Sequence, residues 1–224
     1  TNRKIYLYKN LESIDYLSAI NKMDEIVDNI IHGRMNECLW FLEHPSVYTS
    51  GTSSKKRDLL NQKLFPVIQT GRGGQYTYHG PGQRVVYVMI NLAHYKKDIR
   101  QYVKNLEKWL IYSLFKFGIN AKTCNGRIGI WVDDKKEKFS QEKKIAAIGV
   151  RIRRWVSLHG ISLNINPDLQ NYEGIVPCGL KEYGVTSIKD LGLSLENDFI
   201  DSILVNEFEK TFKVCIEYKK KLII

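Results

Sequence analysis

Three stretches of the chain repeat apolar residues every three or four positions, which is the spacing of one face of an α-helix. They cover residues 16–30, 99–117 and 199–208. Gly118 follows the last apolar position of the second stretch and supplies a common helix stop signal. We therefore expect three amphipathic helices, each of which buries one face.

Runs rich in β-branched and aromatic residues, which are typical of strands, lie between and after these stretches. They cover residues 38–43, 67–70, 75–78, 84–92, 128–132, 145–152, 158–165 and 213–218. The connections between many of them are short enough for neighbouring runs to pair. We expect one α+β domain over residues 1–224, with a mixed, mostly antiparallel sheet and helices packed against it.

Composition narrows the class of protein. Of the 224 residues, 43% are hydrophobic, which is enough to bury a core. No apolar run approaches the roughly 18 residues that a membrane-spanning helix needs. The four cysteines are well separated and form no Cys-x-x-Cys pair, so we expect neither a metal site nor a disulfide framework. These features indicate a protein of the reducing cytoplasm that does not bind a membrane.

The net charge of +10 favours an anionic partner. Part of the excess lies in short basic runs at residues 55–57, 135–138 and 219–221, which could also be solvated loops. No recognisable nucleic-acid-binding motif is present, so nucleic acid is not an expected partner. A small acidic carrier protein is the more informative hypothesis.

Lys144 stands out because it begins an otherwise apolar strand. The charged stretch at residues 133–143 reads as an exposed hairpin loop, and Lys144 follows it. If no bulge intervenes, Lys144 points inward on the same face as Ala146 and Ile148, whereas Arg151 points the other way. Burial disfavours an ammonium group, so an inward-facing lysine can accept a proton near neutral pH.

Two further segments carry residues suited to chemistry. Residues 71–83 contain five glycines, whose backbone amides could converge on a ligand, although a simple glycine-rich hairpin would have the same composition. The spacing matches neither a phosphate-binding nor a dinucleotide-binding loop. His79 could donate to a substrate oxygen or bond to a backbone carbonyl. Cys178 stands between Pro177 and Gly179, a setting that can present a nucleophile.

A thiol, a lysine and a backbone cradle are sufficient for acyl transfer through a thioester. A free cysteine is only a few per cent thiolate at neutral pH. A neighbouring lysine can take the proton or stabilise the thiolate. We interpret the chain as an acyltransferase that uses Cys178 and Lys144.

Taken together, the segments resemble the lipoyl(octanoyl) transferase family. The matching stretches are Arg72-Gly-Gly-Gln-x-Thr-Tyr-His-Gly-Pro-Gly-Gln83, Lys144-Ile-Ala-Ala-Ile-Gly-Val-Arg-Ile152, His159-Gly-Ile-Ser-Leu-Asn164 and Pro177-Cys-Gly-Leu180, with Glu43-His-Pro-x-Val-Tyr-Thr-x-Gly51 upstream. They occur in order between about residues 38 and 190. Each alone is a weak signal, but the ordered set is highly specific.

The resemblance implies the fold of the biotin and lipoate ligase catalytic domains. It implies transfer of an octanoyl group from octanoyl-acyl carrier protein to a lysine of lipoyl domains, in 2-oxoacid dehydrogenase complexes and in the glycine-cleavage H protein. Cys178 would be the acyl-thioester nucleophile and Lys144 its acid/base partner, and neither ATP, a metal nor another cofactor is expected. The residues implied to line the acyl pocket are Arg72, Gly73, Gly74, Gln75, Tyr76, Thr77, Tyr78, His79, Ala147, Ile148, Gly149, Gly160, Ile161 and Ser162. Many relatives have a smaller aliphatic residue in place of Tyr76.

Three alternatives stay open. An adenylating ligase of the same fold would attach free lipoate or biotin with ATP and would not need Cys178. A non-enzymatic basic binding module is favoured only by the net charge. A related acyltransferase would move octanoyl groups between lipoyl domains, and it differs from the first interpretation only in its donor.

Overall fold

The computed structural model describes residues 3–134, 141–177 and 183–224. Helices lie at all three places where the apolar periodicity predicts them: α1 is Tyr16–Ile31, α2 is Ile99–Lys116 and α3 is Asn197–Phe212. Asp15 and Asp98 begin α1 and α2 by accepting backbone N–H groups that a helix start leaves unpaired. No helix in the described part of the chain is both long and apolar enough to cross a membrane.

The described strands include all eight of the predicted runs. In chain order the strands are β1 Arg3–Ser13, β2 Cys38–Glu43, β3 Val47–Ser50, β4 Val67–Gln69, β5 Tyr76–His79, β6 Gln83–Met89, β7 Ala121–Cys124, β8 Arg127–Asp134, β9 Gln141–Arg153, β10 Val156–Asn164, β11 Gly184–Val185 and β12 Val214–Tyr218. The apolar pattern does not predict β1, β3, β7 or β11. Three of these are four residues or shorter, and β1 carries many polar residues along its length.

The strands form two sheets. The large sheet has the order β12-β1-β2-β6-β10-β9-β8-β7, with β11 paired to β9, and the small sheet has the order β4-β3-β5. β1 runs parallel to both β2 and β12, whereas β6, β10, β9, β8 and β7 follow one another antiparallel. The architecture is therefore the predicted α+β class with a mixed, mostly antiparallel sheet.

Helices cover both faces of the large sheet. Along β6, Val86 and Val88 pack with α2 and α3, while Val85 and Tyr87 belong to the cluster that α1 covers. A central strand buried on both faces reads as a continuous apolar run, which explains the strength of its sequence signal.

The C-terminal segment is part of this core. α3 packs on α2 through Leu204 and Phe208, and β12 pairs with β1. A buried ion pair also ties α3 to the sheet, because the Arg84 Nε lies 2.9 Å from an Asp201 carboxylate oxygen.

The charged stretch at residues 133–143 is less of a loop than the sequence predicts. Asp133 pairs with Glu142, and Asp134 pairs with Gln141, so β8 and β9 extend into it from both ends. Cross-strand pairing satisfies the backbone there regardless of the charged side chains. The rest of the predicted loop, residues 135–140, lies outside the described residues.

Candidate active site

A cavity of about 330 Å³ lies between the small sheet and strands β6, β10 and β9 of the large sheet. The residues 72–75, which precede β5, form part of its wall, and Tyr16 of α1 closes another part. The turn between β7 and β8, Lys144 and Val103 of α2 also line it. Both sheets, two helices and the loops between strands thus meet around one cavity.

Most residues predicted to line an acyl pocket border this cavity. They are Arg72, Gly73, Gly74, Gln75, Thr77, His79, Ala147, Ile148, Gly149, Gly160, Ile161 and Ser162. Tyr76 and Tyr78 are not among the lining residues; they lie in an aromatic cluster with Tyr48 and Tyr172. Side chains alternate along β5, so Thr77 and His79 face the cavity while the two tyrosines face away. The bulk of Tyr76 therefore does not narrow the cavity.

Arg72 holds the glycine-rich segment in shape. Its guanidinium donates to the Thr49 carbonyl and hydroxyl oxygens at 2.9 and 2.7 Å, and to the carbonyls of Gly73 and Gln75. The Gly73 amide in turn donates to the Val150 carbonyl at 3.0 Å. The segment is therefore fastened to both sheets, and Arg72 is a structural clamp as well as a lining residue.

Two glycines leave one wall of the cavity without side chains. Gly149 of β9 pairs directly with Gly160 of β10. A Cβ on Gly160 would lie 2.2 Å from the Val86 carbonyl oxygen, and one on Gly149 would lie 3.2 Å from the Arg72 Cδ. The close packing allows no side chain at Gly160 and little room at Gly149.

Lys144 is buried, as predicted, with only 6% of its surface exposed, but on the other face of the sheet. Ile130 pairs with Ala146 whereas Trp131 pairs with Lys144, so Ile145 is an extra residue in a β-bulge. Ile145 and Ala146 both pack in the core beside α2. The bulge reverses the parity and directs Lys144 to the cavity side.

The residues around Lys144 were not identified from the sequence. Its Nζ lies 5.3 Å from the centre of the Trp131 ring, and the Arg127 guanidinium lies 4.6 Å from the same ring. A Cβ on Gly129 would come within 2.2 Å of the Lys144 Cε, so this glycine leaves room for the lysine. A glycine inside an apolar strand run was the one signal available for this close approach.

Three buried histidines lie near the cavity, and all are neutral at physiological pH. Burial lowers the pKa of His44 to about 4, and lowers those of His79 and His159 to about 3. The nearby Arg72 charge opposes protonation of His79 and His159 as well. His159 has a φ of +62°, a strained conformation that often marks functional positions.

Hydrogen bonds decide which nitrogen of His79 carries the proton. The Gln83 amide nitrogen donates to the Tyr78 carbonyl and to the Asn164 side chain, so the Gln83 carbonyl oxygen faces the His79 Nδ1 at 2.7 Å. His79 therefore donates from Nδ1 to a side chain, rather than to the backbone carbonyl considered from the sequence. Its Nε2 is left as an acceptor.

A second, much smaller chamber of about 10 Å³ adjoins Lys144. Its lining includes Thr77, Ala147, Tyr172 and Pro177. Cys178 and Gly179 lie outside the described residues. Within residues 3–134, 141–177 and 183–224, no three His, Cys, Asp or Glu side chains are grouped as a metal site would require.

Sequence comparison relates the chain to proteins of one kind. A family model described as "Lipoyl protein ligase A/B catalytic domain" matches residues 15–209. An octanoyltransferase of Bartonella quintana (strain Toulouse) is 49% identical over 209 residues, which cover 91% of this chain and 85% of the relative. An octanoyltransferase of Paramagnetospirillum magneticum is 52% identical over 199 residues, which cover 89% and 92%.

Solved structures share the fold at low sequence identity. A chain from the archaeal lipoylation system of Thermoplasma acidophilum, a bi-partite lipoate protein ligase and its E2 lipoyl domain, superposes with a TM-score of 0.71 at 15% identity and covers 99% of this chain and 88% of its own length. Lipoate-protein ligase A bound with ATP gives 0.65 at 15% identity, covering 99% and 89%. Biotin protein ligase from Aquifex aeolicus with biotin and ATP gives 0.54 at 12%, covering 95% and 71%. At these identities the likeness concerns the fold alone.

Proposed function

The chain belongs to the lipoyl protein ligase A/B catalytic domain family, and from that premise we propose a complete reaction for it. It is an acyltransferase whose activity is octanoyl transfer in protein lipoylation, and its acceptors are lipoyl domains. We propose that octanoyl-acyl carrier protein is the donor and that Cys178 carries the acyl group as a thioester. The acceptors we propose are the lipoyl domains of 2-oxoacid dehydrogenase complexes and the glycine-cleavage H protein.

The observation that carries this proposal is the buried amine of Lys144 at the wall of the cavity. A lysine side chain is rarely so buried unless it has a partner or a task. The amine lies over the face of the Trp131 ring, and Lys144 borders the cavity in which we propose that the substrate binds. An amine in this setting is suited to moving protons at an acyl carbonyl.

Chain connectivity supports a meeting of Lys144 and Cys178. Pro177 lines the small chamber together with Lys144, and Cys178 is the next residue. We propose that the Cys178 Sγ and the Lys144 Nζ form the catalytic pair.

In the proposed reaction Lys144 moves a proton in both halves of the transfer. Lys144 accepts the Cys178 proton, and the thiolate attacks the donor carbonyl carbon, forming a tetrahedral oxyanion. The oxyanion collapses, the bond to the carrier sulfur breaks, and Lys144 returns the proton to that leaving thiolate. A lipoyl-domain lysine, as its free amine, then attacks the Cys178 thioester. Lys144 takes the surplus proton from the new amide nitrogen and returns it to the departing Cys178 thiolate.

This chemistry needs no ATP and no metal, because a thioester already lies above an amide in free energy. The pocket residues named above, Gly149 and Gly160 among them, would hold the octanoyl chain. Backbone amides of the glycine-rich segment and of residues 147–149 are candidate donors to the oxyanion. We propose the cytoplasm as the compartment, where the cysteine would stay reduced.

Exposed basic residues flank the segment that lines the cavity. Lys55, Lys56 and Arg57 follow Ser53, whose amide donates to the Gly74 carbonyl, and Arg151 lies against Gly71. We propose that these cations attract the acidic carrier and lipoyl domains, which would speed association at low ionic strength.

The test is intact-protein mass spectrometry after mixing with octanoyl-acyl carrier protein without ATP. The wild-type protein, Cys178→Ala and the control Cys215→Ala, which alters an exposed cysteine, are compared. We expect one octanoyl adduct on the wild type and on the control, none on Cys178→Ala, and transfer of the adduct to an added lipoyl domain. Lys144→Met should slow adduct formation by about 10²–10⁴-fold.

Two results would reject parts of the proposal. Absence of any adduct, together with lipoyl-domain modification only when ATP and free octanoate or lipoate are supplied, would identify an adenylating ligase. An adduct that Cys178→Ala still forms would assign the nucleophile elsewhere.

A further inference from the structure

Only three described residues border both the large cavity and the small chamber: Thr77, Lys144 and Ala147. They form the boundary between the space proposed for the acyl chain and the chamber that Pro177 lines. The reacting carbonyl must be within reach of Lys144 and of Cys178. The boundary is therefore where the carbonyl carbon would lie if the proposed function holds.

The Thr77 hydroxyl is the polar side-chain group at this boundary besides Lys144, and it has no protein partner among the residues that the structure describes. Thr77 is buried, with 8% of its surface exposed. Its hydroxyl is nevertheless not sealed by surrounding atoms, unlike the Tyr102 and Thr211 hydroxyls, which are both buried and unpaired. A buried hydroxyl that is open to a cavity and lacks an internal partner is available to a ligand.

Two neighbouring hydroxyls are occupied. The Thr49 hydroxyl, directly across the strand pair from Thr77, accepts from Arg72 at 2.7 Å, and the Tyr172 hydroxyl contacts Asn164 at 3.0 Å. These groups build the walls of the site. Thr77 differs from them because its hydroxyl makes no hydrogen bond to the described residues that form these walls.

We propose that the Thr77 hydroxyl donates a hydrogen bond to the acyl carbonyl oxygen and stabilises the tetrahedral oxyanion in both transfer steps. Such a donor is most effective when it is held in place before the reaction. Thr77 meets that condition: its β-branched side chain has few rotamers, and its strand is held to β3 by backbone pairing. Tyr76 and Tyr78 further anchor the strand from its other face.

This inference rests on the proposed thioester reaction, and the test separates the two. Single-turnover formation of the octanoyl adduct is followed by quenched mass spectrometry at several concentrations of octanoyl-acyl carrier protein. The variants are Thr77→Val, which keeps the shape and removes the hydroxyl, Thr77→Ser, which keeps a hydroxyl, and the control Thr123→Val, which makes the same change at an exposed position on β7.

We expect Thr77→Val to lower the saturating acylation rate by about 10²–10³-fold while the half-saturating donor concentration changes by less than about threefold. Thr77→Ser should recover the rate to within about tenfold of wild type, and Thr123→Val should match wild type. Melting temperatures identify any loss of folding, and if Thr77→Val does not fold, Thr77→Ala replaces it.

Three results would overturn the inference. A saturating rate for the hydroxyl-free variants within about threefold of wild type would remove Thr77 from the reaction. A loss confined to the half-saturating concentration would make it a ground-state contact. An equal loss in Thr77→Ser would assign the effect to shape. If the wild-type protein forms no adduct at all, the proposed function fails first.

Discussion

The two faces of the large sheet are filled in different ways. On the face covered by α2 and α3, large apolar side chains such as Trp109, Phe208 and Leu163 pack into the main hydrophobic core. The other face is equally closed beneath α1, but beyond the helix it carries Ala147, Ser162 and the paired glycines 149 and 160. A sheet face can form a binding site where its side chains are small and a second layer covers the space without filling it.

Both faces also bury polar groups. The described residues bordering the cavity include Lys144, His79 and His159, all of which are buried. On the closed face the Arg84 guanidinium pairs with the Asp201 carboxylate, and the Trp109 indole donates to the Leu204 carbonyl at 2.7 Å. Taking polar groups out of water costs stability unless they are paired. The two faces therefore differ less in the number of buried polar groups than in the space beside them, which is open at the cavity.

The largest loss of stability should come from a cavity made in the closed face. Trp109→Ala removes a fully buried ring that packs edge-on against Phe208. We expect the free energy of unfolding to fall by about 3–5 kcal/mol. Urea unfolding measures it, with the half-exposed Tyr112→Ala on the same helix as the control. Activity per folded molecule should be unchanged, and a selective loss of activity would show that the two faces are coupled.

Lowering the pH should have the next largest effect on stability, because three buried histidines lie near the cavity. The folded-state pKa values of His44, His79 and His159 are about 4, 3 and 3, because burial penalises the imidazolium, whereas an unfolded histidine has a pKa near 6.5. The unfolded chain binds more protons in this window. The stabilisation is therefore complete above about pH 6.5 and is lost as the pH falls toward 4 and 3.

We expect on the order of 1–2 kcal/mol of unfolding free energy to be lost per histidine between pH 7 and 5. Urea unfolding at pH 7, 6 and 5 measures the slope. His159→Asn should reduce the slope, and the control His94→Gln, at an exposed position, should not. Equal stability of the wild type at pH 5 and 7 would contradict the assignment of neutral buried histidines.

A smaller effect, on the rate of octanoyl transfer, should follow from filling part of the cavity. Ser162→Val adds a methyl-sized group to a residue that borders the large cavity only. We expect kcat/KM for octanoyl transfer to fall by about 10–200-fold, the range for one methylene too many in a pocket, with hexanoyl transfer less affected. Competition between the two donors measures the ratio. An unchanged ratio would place the acyl chain away from Ser162.

The smallest effect should come from the ring beside Lys144. Trp131→Leu removes the face that lies 5.3 Å from the Lys144 Nζ, a contact worth about 1 kcal/mol. We expect the saturating rate to fall about fivefold, while Trp131→Phe retains most of it because it keeps an aromatic face. Single-turnover rates measure both. Equal rates in the two variants would show that the ring contributes only bulk.

Local patterns predicted much of this molecule. The three helices follow apolar periodicity, and β2 and β6 follow from continuous apolar runs. Short strands were missed because β3 and β7 are defined by the strands they pair with rather than by their own composition. β1 gains its hydrogen bonds from β2 and β12, which are distant in sequence.

The sequence by itself determined the fold class, the family and most of the residues that line the cavity, because periodicity and motif spacing are local properties of the chain. Only the tertiary structure decided the face of Lys144, since the bulge at Ile145 arises from the register between β8 and β9. It also decided the clamp that Arg72 forms and the open Thr77 hydroxyl. Whether a buried polar group has a partner depends on residues brought together from distant parts of the chain, and no local pattern specifies that.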